Sequence, residues 1–151
     1  MGEIFAVVTA GATVIGLYFA FRHYRNEQLK IRLDAYPKRV AIFNCTEEFL
    51  GRALTGNYAY MPALLAEFHD STKEAGFLFD KNLADYLDSL FEGVWRHFHL
   101  ETKLEIEGDS LDFGEKGALQ DQVFASGHWL GQQNIHLKER FAKYLDLSGL
   151  Q

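Results

Sequence analysis

The chain lacks most of what would announce a chemistry. It has 151 residues and a single cysteine, Cys45, which cannot form an internal disulfide and fits a reducing compartment. Cys45 sits in the apolar helical stretch Phe43-Asn44-Cys45-Thr46 with no histidine or acid motif beside it, so it reads as a small core residue. No H-E-x-x-H occurs, and no glutamate has a histidine three residues on, which excludes the two commonest helical metal signatures. Gly51 and Gly56 have the glycine interval of a phosphate loop, but Asn57 stands where lysine is needed. G-x-S-x-G and C-x-x-C are missing too. Nothing repeats and nothing is of low complexity. The sequence therefore offers no catalytic residue, no metal ligand set and no cofactor.

Basic residues are absent before Arg22, and Ile4 to Phe21 is an uncharged run of eighteen. As a helix that run is about 27 Å long, close to the roughly 30 Å of a bilayer's hydrocarbon core. Arg22 can snorkel to lengthen it. A cleaved leader wants a basic start and a small-x-small end. Here the start is Gly2-Glu3 and the end is Tyr18-Phe19-Ala20-Phe21. Residues 4–21 are thus expected to be a retained transmembrane helix. Lys and Arg flank it on one side only: Arg22, Arg25, Lys30, Arg32, Lys38 and Arg39. That asymmetry places the C-terminal part in the cytoplasm and the N-terminus outside, and the six cations suit anionic lipid. Ala12, Gly16 and Ala20 share a stripe on which a second membrane helix could pack.

The net charge of −6 is unevenly spread, because residues 1–39 carry six basic and three acidic groups and so leave −9 for the rest. An acidic domain repels nucleic acid, which is not expected as a partner.

No glycine or proline interrupts Leu17 to Tyr36, so the span should continue as a basic stalk over 22–36, with Leu29, Leu33 and Tyr36 on one apolar face. Pro37 should end it and open a domain over 37–151, beginning with a helix at about 38–54 that Gly56 and Asn57 close. A further helix starts near Pro62 and stops at Gly76. Phe77-Leu78-Phe79 reads as a connection, after which Asp80 caps the clearest helix, with Leu83, Leu87, Leu90, Val94 and Phe98 on one stripe. Residues 107–117 read as a polar loop, with a possible strand at 102–107. A last helical region at about 118–145 is interrupted by Gly127 and Gly131 and divided near Asn134. The fold class is all-α: one N-terminal transmembrane helix continuing into a stalk, then an antiparallel four- to five-helix cytoplasmic bundle.

Two segments invite a site. His97 and Glu101 share a helix face and read as a solvated or capping pair near a helix end. Gly127-His128-Trp129-Leu130-Gly131 puts two helix-disfavouring glycines four apart, which points to a tight helix crossing or to a pocket beside Trp129 and Trp95. Aromatics make up 15% of the chain, which points either to an aromatic-heavy core or to a surplus that faces a partner or the bilayer surface.

In Tyr36-Pro37-Lys38-Arg39-Val40, Phe77-Leu78-Phe79-Asp80 and Arg140-Phe141-Ala142-Lys143-Tyr144-Leu145 the chain resembles a diffuse group of bacterial single-span membrane proteins of unknown function, with a small cytoplasmic helical domain. The likeness covers most of the chain and implies no reaction. The 127–131 glycines and the acidic 105–115 stretch depart from it.

These observations favour a non-enzymatic accessory or scaffold protein at the inner face of the cytoplasmic membrane. Its partner would be a membrane protein, or a homo-oligomer formed through the span. A membrane-anchored sensor or effector of stress or phage defence is the alternative, and a small-ligand site or enzyme near Gly127–Gly131 a second one.

Overall fold

The computed structural model describes residues 2–56 and 60–146, and the side chains of all of these except 2–16, 26, 28, 29, 31 and 32. It is all-helical: α1 (Gly2–Leu54), α2 (Met61–Thr72), α3 (Ala75–Leu78), α4 (Lys81–Glu107) and α5 (Phe113–Leu145). Two compact units divide it between Pro37 and Lys38.

In the first unit the chain is helical from Gly2 on. Leu17, Tyr18, Phe19, Phe21 and Tyr24 are all exposed. So are Ala20, Arg22, Arg25 and Lys30, while the side chains of Ala12, Gly16 and Arg32 lie outside the described residues. The same holds for residues 4–16, most of the apolar leader. Among the described residues no helix is long and apolar enough to cross a membrane.

Several expected boundaries are corrected. Pro37 does not end a helix but lies inside α1. Its missing N–H deprives the carbonyl of Leu33, an exposed residue that water can reach. Gly76 does not stop a helix. It falls within the single turn of α3, which takes in most of the expected connection. Residues 102–107 are not a strand but the end of α4, so only 108–112 join α4 to α5. Asp112 starts α5 with a capping box: its carboxylate accepts from the Glu115 N–H at 2.8 Å, and Glu115 returns the bond at 3.4 Å. Gly127, Gly131 and Asn134 do not interrupt α5, which runs unbroken for 33 residues. Each glycine costs about 1 kcal/mol of helix propensity. The buried Leu119, Leu130, Leu137 and Phe141 on one face outweigh that cost.

Within the second unit α4 and α5 form an antiparallel hairpin. Numbers rise along one helix as they fall along the other: Asp80 meets Lys143, Tyr86 meets Gln133, Gly93 faces Trp129 and His97 meets Ser126. The Asp80 carboxylate caps α4 by accepting from the Leu83 N–H at 3.0 Å, and it also receives the Lys143 ammonium at 2.6 Å. Lys143, then the nearby Tyr144 hydroxyl and the Leu83 N–H, hold its pKa well below the usual carboxylate range.

The lower half of the hairpin is roofed by residues 38–54 of α1 and by α2. Phe49 and Phe68 stack face to face at 3.9 Å, and both are buried. Phe141 receives Phe43 and Phe79 edge-on, at 5.4 and 5.5 Å. Cys45 packs against this core, half-buried. Gly56, with φ 70°, closes α1 in the left-handed conformation that glycine tolerates. Lys38 pairs with Glu74 at 2.7 Å, and the Arg39 guanidinium donates to the Leu78 carbonyl at 3.0 Å. Two of the six cations expected at lipid therefore have partners within the second unit, Lys38 at its surface and Arg39 half-buried.

Candidate functional site

The fully buried members of the hydrophobic core end partway along the hairpin, at Val94 on α4 and Leu130 on α5, with the half-buried Phe98 packed against them one turn further on. Beyond that level, residues 95–129 form two helices and a short link with little between them. His97 and Leu119 are the large side chains buried there. Apolar side chains point outward instead: Phe113 is 97% exposed, Phe124 77% and Ile106 75%. Trp95 lies on the surface against His99, with ring centres 4.6 Å apart.

The residues singled out in 127–131 are spread around α5 rather than gathered. Gly127 turns towards α4, where an added Cβ would lie 3.3 Å from the His97 ring. Gly131 faces open space, and His128 is exposed. Trp129 lies on α4 at Gly93, where a Cβ would overlap its ring. The close approach between the helices is thus at Gly93, a position whose single glycine carries no sequence signal of its own. Trp129 also borders a groove of about 580 Å³ between α4 and α5, with Ser89, Glu92, Arg96, Gln122 and Ser126 on its walls. Trp95 and Gly131 do not line it.

The expected solvated pair at His97 is corrected, because the histidine is buried in mid-helix. Its Nδ1 lies 2.8 Å from Ser126 Oγ, and its Nε2 lies 3.5 Å from a Glu101 carboxylate oxygen. The Ser126 hydroxyl also donates to the Val123 carbonyl at 2.9 Å. One proton serves either the carbonyl or the ring, and that choice sets the tautomer. Serine, histidine and glutamate in line are the residue types of a hydrolase triad. An oxyanion needs pre-aimed donors, however, and the backbone N–H groups around Ser126 are spent inside α5. The trio is a part-buried polar strut, centred on the buried His97, that joins two helices where the fully buried apolar core has ended.

Burial holds the His97 pKa below its ordinary value, and Glu101 partly opposes this. A histidine with a lowered folded pKa favours the neutral ring in the folded state. Its contribution is complete above about 6.5, the unfolded value, and is lost as pH falls towards the lower folded value. Urea midpoints in mild detergent from pH 8 to 5 should fall below that point in the wild type. The fall should be smaller in His97→Gln. Equal slopes in the two proteins would refute the assignment.

No family model, curated protein or solved structure matches the chain.

Proposed function

We propose that the chain is a membrane-anchored accessory or scaffold protein that acts through protein contacts, without catalysis of its own. Residues 4–21 cross the cytoplasmic membrane with the N-terminus outside, 22–36 form the basic stalk, and the helical domain works at the inner face. The observation that carries the reading is the distal hairpin, with its apolar side chains facing solvent beyond the end of the core. A two-helix hairpin with so small an interior gains stability from a partner that covers it. The membrane placement is supported by the described end of the leader, whose large apolar side chains are exposed in succession from Leu17 to Phe19 and again at Phe21.

The test uses the full-length tagged chain in its native membrane. After carbonate washing, the wild type should stay in the pellet and leave it in mild detergent as a complex of fixed stoichiometry. Phe113→Asp/Phe124→Asp should remain membrane-bound and folded but lose the complex. Recovery of the wild type in the carbonate supernatant, or an undiminished complex in the variant, would overturn the proposal.

The groove at Trp129 favours a second reading, a small-ligand site with Arg96 and Glu92 on its walls. A thermal shift with a metabolite panel tests it, and no shift with any compound would count against it.

A further inference from the structure

The exposed apolar residues of α5 are not scattered. Phe113 and Ile135 each lie eleven residues from Phe124, and Gly117 and Gly131 each lie seven residues from it. Seven or eleven residues bring an α-helix back to within about 20° of the same direction. All five positions therefore share one narrow stripe, arranged symmetrically about Phe124. The structure leaves the stripe open. Phe113, Phe124 and Ile135 are exposed, and an added Cβ at Gly117 or Gly131 meets nothing within 4 Å.

The surroundings are poor in charge. In a chain with 24% charged residues, Asp121 is the one such residue between Gly117 and Leu137. A −6 protein would normally repel its own copies, and here the repelling groups are missing from one long face.

A pattern that reads alike in both directions from its centre fits itself under a two-fold axis. We propose that this face of α5 pairs with the same face of a second copy, the two helices antiparallel and crossing at Phe124. The proposal rests on the reading of the hairpin as a docking surface and names its occupant. The two Phe124 rings then stack on the axis. Phe113 meets Ile135 of the second copy, and Gly117 meets its Gly131. Asp121 and His128, both exposed, come together across the axis twice, with opposite sign when the imidazole is protonated. Two phenylalanines and one isoleucine per copy, at about 150–250 Å² for each aromatic, bring the buried surface to the order of 1,000 Å². That is where specific interfaces begin.

Cysteine cross-linking on the full-length chain in mild detergent tests the arrangement, with Cys45→Ser as background. Phe124→Cys should form a disulfide-linked dimer under mild oxidation. Phe113→Cys alone should not, whereas Phe113→Cys mixed with Ile135→Cys should give the heterodimer. In light scattering, Phe124→Asp should halve the protein mass of the particle without loss of helicity. Phe124→Cys that fails to cross-link, or Phe113→Cys that pairs with itself, overturns the antiparallel pairing. If the chain is monomeric in isolation but Phe113→Asp/Phe124→Asp still loses a companion in native membranes, the second copy falls as occupant and the scaffold reading stands. If neither dimer nor companion depends on these residues, both fall.

Discussion

Phe141→Ala should lower the free energy of unfolding by about 3–5 kcal/mol. The side chain is fully buried near the end of α5, and it joins three parts of the second unit. Phe43 comes to it from α1 and Phe79 from the junction of α3 and α4, both edge-on. Phe79 in turn meets Tyr144 at 5.0 Å, so removing the central ring leaves two neighbours facing a cavity. Collapse is hindered because Asp80 and Lys143 pin α4 to α5 close by. Ile106→Ala is the control. Ile106 is 75% exposed on α4, so its removal should change stability by no more than about 0.5 kcal/mol. Urea unfolding followed by far-ultraviolet circular dichroism in mild detergent measures both. A loss below about 1 kcal/mol for Phe141→Ala would show that the ring cluster is no part of the core.

Gly93→Leu should cost about 1–3 kcal/mol through overpacking, and it should move Trp129. The indole lies directly over the position a Cβ would take, with ring atoms 2.7 and 3.1 Å away at the second and third closest approach. A leucine must therefore push the ring out of the groove between the helices. In a Trp95→Phe background the remaining tryptophan emission comes from Trp129, and it should shift to longer wavelength as the ring meets water. Gly93→Ala should show the same shift with a smaller loss, because alanine returns about 1 kcal/mol of helix propensity. Unchanged emission in Gly93→Leu would mean that the ring does not rest on Gly93.

The long-period features of the fold are legible in the sequence. Leu83, Leu87, Leu90 and Val94 keep the helical period, and all four are buried in α4. Asp80 carries its cap signal openly and makes the expected bond. Boundaries marked by glycine or proline are less legible. Pro37, Gly76, Gly127 and Gly131 are local votes against helix worth about 1–3 kcal/mol each. Local votes lose where a neighbouring face is buried or where water replaces a lost bond. The start of α5 has its own signal in Asp112-Phe113-Gly114-Glu115, a capping box set among residues whose composition suggests a loop.

The candidate surface divides the same way. The high share of aromatics allows that some face outward, and Phe113 and Phe124 do so. Which glycine faces a neighbour is not written along the chain. Gly93 and Gly131 both lie in the interior of a long helix, yet one carries an indole and the other faces open space. His97 likewise reads as a surface residue from its neighbours, and the α5 segment that packs against it, at Ser126 and Gly127, begins 29 positions away.

Sequence alone determined the helical class, the acidic head behind a basic, apolar leader, and the cap that starts α4, because these depend on periodicity, charge and contacts within four residues. Tertiary structure decided where the core stops along the α4–α5 hairpin, which tryptophan rests on which glycine, and which face of α5 stays uncovered. Those depend on the register between helices, and register is set by the sum of many distant contacts rather than by any local run of residues.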